Sequence, residues 1–130
     1  MSRVLVAEDD PHILRVVSLW LNRQGHEVIE ARNGIQALEL FERQPPDVLV
    51  TDINMPGLTG LELLDRIREL GGADIGVVVL TNRWDHREIG EQLNERGARV
   101  IPKPFSPNEL AKVVSEMASR SAGAAPSGRE

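Results

Sequence analysis

Cysteine is absent from this 130-residue chain. No disulfide can staple it, and the composition suits a reducing compartment. Long apolar runs are absent as well. None approaches the ~20 residues of a membrane-spanning helix, and the N-terminus lacks the charged-then-apolar pattern of a secretion signal. The cytoplasm is the expected location, without membrane contact. Positive charge is in short supply: fifteen Lys and Arg stand against twenty Asp and Glu, a formal net charge of −5. With no basic face to neutralise phosphates, direct nucleic-acid binding by this chain is not expected. Lysine is the scarcer cation, since thirteen residues are arginine and only Lys103 and Lys112 are lysine. Lys103 sits between Pro102 and Pro104, which marks it out.

What is present is enough for one domain. A chain of this size buries roughly two-thirds of its unfolded surface and needs no structural metal to fold. Val4–Ala7 reads as a first strand, followed by a helix capped by Asp10, opened by Pro11 and striped with Ile13, Leu14, Val17 and Leu21. Glu27–Ala31 is a second strand, and Asn33 caps a second helix carrying Leu38 and Phe41. Val48–Thr51 is apolar or β-branched throughout, as a strand buried on both faces should be, and it ends on Asp52. Leu61, Leu64, Ile67 and Leu70 mark a third helix, closed by Gly71-Gly72. Ile75–Leu80 is a fourth strand ending at Thr81. Trp84–Arg96 is a helix with a thin stripe, Ile89 and Leu93, and is expected to be weakly fastened, with Trp84 at the surface among polar neighbours. Arg99–Pro102 is a fifth strand, at an edge because of Pro102. Ser106-Pro107 opens a last helix with Leu110, Val113, Val114 and Met117. Residues 1–120 are expected to form the domain, and 121–130, without periodicity, a flexible tail or the start of a linker. The alternation is (βα)₅. It implies a doubly wound parallel sheet with right-handed crossovers and helices on both faces.

The conspicuous polar residues fall at the carboxyl ends of strands: Glu8 and Asp9 after the first, Asp52 after the third, Thr81 after the fourth and Lys103 after the fifth. If the first and third strands are neighbours where the winding reverses, Glu8, Asp9 and Asp52 converge on one crevice, the usual ligand site of open α/β sheets. Three carboxylates so close repel one another, and a hard divalent cation such as Mg²⁺ relieves this. A carboxylate can attack phosphorus to give an acyl phosphate, with Mg²⁺, Lys103, Thr81 and backbone N–H groups after Asp52 stabilising charge on the phosphoryl oxygens.

This constellation resembles the receiver domain of bacterial two-component response regulators, over about residues 3–119. The resemblance rests on Val-Leu-Val-Ala-Glu-Asp-Asp-Pro at 4–11, Asp-Ile-Asn-Met-Pro-Gly-Leu-Thr-Gly at 52–60, Val-Leu-Thr at 79–81 and Lys-Pro-Phe at 103–105. It implies a flavodoxin-like sheet in the order 2-1-3-4-5. It also implies that Asp52 accepts a phosphoryl group from the phosphohistidine of a sensor histidine kinase or phosphotransfer protein. Mg²⁺ would be held by Asp9, by Glu8 through water, by Asp52 and by the backbone carbonyl of Asn54. Thr81 would move to the phosphoryl oxygen, Lys103 would pair with it, and the Lys103–Pro104 bond would be cis. Such a domain is no enzyme beyond its own phosphorylation and dephosphorylation. Its output face, here Trp84–Met117, addresses a downstream protein or output domain, and a homodimer through that face is possible. Because no output domain follows, the chain is expected to be a stand-alone receiver or a regulator cut in its linker. One position departs from the family pattern: Val100 stands where an aromatic residue often accompanies the threonine's movement. Positions 54 and 83, which tune phosphoryl lifetime in the family, are Asn and Arg.

Other readings of the same residues exist. Glu8-Asp9-Asp10 also suits a bare helix N-terminus, Thr81 a turn and Lys103 a solvated edge charge. His12, His26 and His86 lack metal-ligand spacing and suit surface or capping positions. An aspartate-nucleophile phosphatase would carry Asp-x-Asp on the first strand, whereas here the reactive position is on the third and position 54 is Asn. A receiver-like interaction module that is never phosphorylated is the remaining alternative, although every acceptor residue is present.

Overall fold

Alternating apolar residues divide the sheet's side chains between two cores, and the helices take their places accordingly. The computed structural model describes residues 2–72, 74–81 and 86–124. In chain order the elements are β1 (Arg3–Ala7), α1 (Pro11–Arg23), β2 (Glu27–Ala31), α2 (Gly34–Arg43), β3 (Val48–Asp52), α3 (Gly60–Glu69), β4 (Gly76–Thr81), α4 (His86–Glu95), β5 (Arg99–Pro102) and α5 (Pro107–Ala124). The strands pair in parallel in the order β2-β1-β3-β4-β5. Val4, Val6, Val48, Val50, Val78 and Leu80 point to one face, where Leu14, Val17 and Leu21 of α1 meet Leu110 and Val114 of α5. Leu5, Leu49, Val77 and Val79 point to the other, where they meet Phe41 of α2, Leu64 and Ile67 of α3 and Leu93 of α4. A period of two along a strand buried on both sides produces this division.

The helix ends are set by local chemistry. The Asp10 carboxylate accepts from the His12 and Ile13 N–H groups ahead of Pro11, and Asn33 accepts from Gln36 N at 2.7 Å. Thr59 and Glu62 form a reciprocal capping box that starts α3 directly after the loop leaving Asp52. Gly25, Gly71 and Gly97 end helices at φ of 91°, 97° and 78°, values glycine adopts without strain. Among the described residues, no helix is long and apolar enough to cross a membrane.

Four expectations need correction. In α3 the buried stripe is Leu63, Leu64 and Ile67, while Leu70 is 48 % exposed. A helical stripe wider than one row brings in Leu63, and Leu70 falls at the C-cap beyond the core. The last helix continues to Ala124 instead of closing near Arg120; apolar periodicity reports burial, not helicity, so a helical turn without a stripe reads as tail. His26 is half-buried, its Nε2 3.0 Å from Ser115 Oγ of α5, and burial lowers its pKa. Finally, α4 is firmly fastened at its C-terminal end. There the Arg68 guanidinium donates to the carbonyls of Gly72 (2.7 Å), Ile75 (3.1 Å) and Arg96 (3.0 Å), and Arg96 pairs with Asp65 at 2.6 Å. Arg83 and Trp84 lie outside the described residues.

The joint between β3 and α3 is tight enough to test. A Cβ at position 60 would lie 2.5 Å from the Asp52 carbonyl oxygen and 2.9 Å from Ile53 Cα, both backbone atoms that cannot step aside. Gly60→Ala is expected to lower the unfolding free energy by about 1–3 kcal/mol through overpacking, against alanine's better helix propensity. Urea denaturation reads this, and a midpoint at or above wild type would refute it.

Candidate functional site

The parallel register brings the strand ends to one level. Ala7 pairs with Thr51, Asp52 with Leu80 and Thr81 with Pro102, so the residues following β1, β3 and β5 emerge along a single edge. The ladders run slightly past the strands: Glu8 N donates to Ala31 O (3.0 Å), Ile53 N to Leu80 O (2.9 Å) and Lys103 N to Thr81 O (2.6 Å). β1 and β3 are adjacent with β2 and β4 outside them, so the crevice between them is the point where the winding reverses.

Glu8, at the end of β1, is 1 % exposed, while Asp9 beside it faces solvent. Asp52, at the end of β3, is 7 % exposed. One carboxylate oxygen from each of the three lies within 4.8 Å of the other two. Lys103 reaches in from the β5–α5 turn, through a cis Lys103–Pro104 peptide. Its Nζ is 3.3 Å from Glu8 Oε1 and 3.4 Å from Asp52 Oδ2. The second Glu8 oxygen accepts the Asp10 N–H at 3.1 Å. Thr81, ending β4, is fully buried. Asn54 is exposed two residues beyond Asp52. Val100 is half-buried opposite Val79 on β5, against the core that includes Leu93.

The charges do not balance. Among the described residues, three carboxylates face one ammonium, and the most enclosed of them shows the strain. Burial pushes the Glu8 carboxyl up from 4.5 to about 7, and the neighbouring Asp52 charge adds to this. The Asp10 N–H and Lys103 pull the other way and do not overcome the loss of water. Carboxylate oxygens at this spacing, one exposed and two enclosed, fit a hard divalent cation that keeps part of its water shell.

The strand-end positions of Glu8, Asp9, Asp52, Thr81 and Lys103 were legible in the sequence. The groups supporting them were less so. Thr51 turns its hydroxyl back to the Asp52 carbonyl at 3.0 Å and lies 3.9 Å from Met55 Sδ, buried under the site. Ile13, readable only as a member of the α1 core stripe, shares a cleft of about 370 Å³ with Lys103, Pro104 and Phe105 at the edge of the acidic group. No spacing rule marks such residues, because the sheet's crossovers bring them together.

A model of the family described as the response regulator receiver domain matches residues 4–115. Transcriptional regulatory protein KdpE of Mycobacterium tuberculosis is 34 % identical over 110 residues, which is 85 % of this chain and 48 % of that protein. Response regulator MprA of Mycobacterium leprae is 36 % identical over 108 residues, 83 % of this chain and 47 % of that protein. The chain thus spans about half the length of these curated relatives. Among solved structures, the receiver domain of the Francisella response regulator 1452 superposes with a TM-score of 0.86 at 30 % identity, covering 93 % of this chain and 99 % of that one. Chemotaxis response regulator CheY4 of Vibrio cholerae superposes with a TM-score of 0.81, also at 30 % identity, covering 90 % and 98 %.

The raised Glu8 pKa has a consequence for stability. The folded chain holds this proton more tightly than the unfolded chain, so the unfolded state binds fewer protons between the two titrations. The resulting stabilisation is complete below about pH 4.5 and is lost as pH rises through about 7. In chelator, the unfolding free energy of wild type relative to Glu8→Gln is expected to fall by about 2 kcal/mol from roughly pH 5 to pH 8. Denaturant titrations across that range measure it, and a constant difference would contradict it.

Proposed function

The chain belongs to the response regulator receiver domain family, and on that premise we propose that it is a Mg²⁺-dependent phosphoacceptor whose acceptor is Asp52. The carrying observation is the meeting of Asp52 with Glu8, Asp9 and Lys103 at the reversal point of the sheet. Asp52 is a carboxylate at the end of a strand paired on both sides, so it is held by a backbone that cannot recoil. One of its oxygens forms a bond to phosphorus as the P–N bond of a donor phosphohistidine breaks, and the imidazole nitrogen leaves with the electron pair. The product is an acyl phosphate.

The remaining groups handle charge. Glu8, Asp9, Asp52 and the Asn54 carbonyl are the proposed holders of Mg²⁺, which when bound neutralises the carboxylates and the phosphoryl oxygens. Lys103, already 3.4 Å from Asp52, pairs with the phosphoryl group, and the Thr81 hydroxyl turns to one of its oxygens. The partner supplying phosphate is a sensor histidine kinase or a phosphotransfer protein. The surface formed by α4, β5 and α5 carries the response to an output domain or a separate protein target. Val100 is half-buried against the α4-side core, so no aromatic ring stands at that position to turn with Thr81. The net charge of −5 argues against nucleic-acid contact by the receiver itself.

Intact mass after incubation with acetyl phosphate and Mg²⁺ tests the acceptor. Wild type is expected to gain one phosphoryl group and Asp52→Asn none; no gain in wild type with any phosphodonor would favour an inert interaction module. A second measurement addresses the cation. Because Glu8 keeps its proton to about pH 7, Mg²⁺ affinity is expected to weaken as pH falls below 7, by up to about tenfold per unit. Glu8→Gln should flatten that dependence, and an unchanged slope in the variant would exclude Glu8 as its source.

A further inference from the structure

Glycines with positive φ, such as Gly57 at 86°, are explained by their backbone. Gly34, the first residue of α2, has no such conformation, so the space around it is the reason for its lack of a side chain. A Cβ there would lie 2.5 Å from both the Cβ and the carbonyl oxygen of Leu58, in the loop between Asp52 and α3. Its neighbour Ile35 is 53 % exposed, an apparent waste of a β-branched aliphatic side chain. Its Cδ1 lies 3.1 Å from the position a Gly57 Cβ would take, so the side chain covers the Gly57 backbone. The first turn of α2 therefore touches the same loop at two successive residues. From below, the loop is held by Ile53 and Met55, 6 % and 7 % exposed, and its ends are tied by the Gly60 N–H donating to Ile53 O at 2.8 Å.

Resting on the acceptor reading above, we infer that Gly34 and Ile35 are positioning residues that hold the 53–59 loop where its backbone can serve the cation beside Asp52. Mg²⁺ demands near-ideal octahedral geometry at about 2.1 Å, so an oxygen offered by a loop must be held from both sides. Ile53 and Met55 supply the inner support and the α2 turn the outer one. Gly34 contributes by leaving room for Leu58, and Ile35 by lying over Gly57. This accounts for an exposed isoleucine that the core does not use, and for a glycine at a helix start where alanine would be the better helix former.

Mn²⁺, which shares the octahedral oxygen preference of Mg²⁺, is a suitable probe, with the free ion counted by electron paramagnetic resonance. Gly34→Ala and Ile35→Ala are both expected to weaken Mn²⁺ binding roughly tenfold, as loss of an outer support does at other metal sites, with unchanged far-ultraviolet circular dichroism. Ile35 is half-exposed, so its truncation leaves the fold intact even if Gly34→Ala does not. A purely structural role would lower the denaturation midpoint without moving the affinity. Unchanged affinity in both variants, with binding still abolished by Asp52→Ala, would overturn the buttress alone. Equal binding by wild type and Asp52→Ala would overturn the cation site itself, and the buttress with it.

Discussion

Crowding of like charge at a rigid edge governs this molecule. β1 and β3 are hydrogen-bonded neighbours about 4.8 Å apart, and residues that follow immediately from such strands cannot separate to relieve repulsion. Glu8 and Asp52 are held together by the sheet, not by attraction. Lys103 is the compensation within the chain, delivered from β5 beyond β4, and it bridges both carboxylates. Burial strips Glu8 of water, and with the Asp52 charge beside it Glu8 moves toward its protonated form despite Lys103. The tension that makes the site expensive to form also makes it receptive to a divalent cation and to a ligand that brings one.

Two cores make that edge rigid. Because β3 and β4 are buried on both faces, the strand carrying Asp52 has no solvent side through which to flex. The loops at the edge are fastened separately. The 53–59 loop is pressed between Met55 beneath and the start of α2 outside. The far end of α4 is fixed by Arg68 and by the Arg96–Asp65 pair. Stiff supports surround Asp52, while α4 is packed on the sheet through Leu93 and tied just beyond its end at Arg96.

Much of this was readable in the residues. The five apolar runs, the capping signals at Asp10 and Asn33, and the polar residues at strand ends are local features whose physics acts within a few positions. A short-range pattern therefore identifies them. Leu70 and the end of α5 were misjudged because apolar spacing measures what is buried, and burial depends on partners far away in the chain. His26 was misjudged for the same reason, since Ser115 lies 89 positions away in α5.

The sequence alone determined the alternation of strand and helix, the placement of acids, threonine and lysine at strand ends, and the excess of acidic over basic residues. These follow from composition and from periods of 2 and 3.6 residues. Tertiary structure decided which strand ends are neighbours, that Lys103 stands between Glu8 and Asp52, that Glu8 is deprived of water, and that Gly34 and Ile35 brace the loop beside Asp52. Those are distances between segments tens of residues apart, and no local preference encodes them. They arise when parallel crossovers bring the segments to one edge and packing on both faces holds them there.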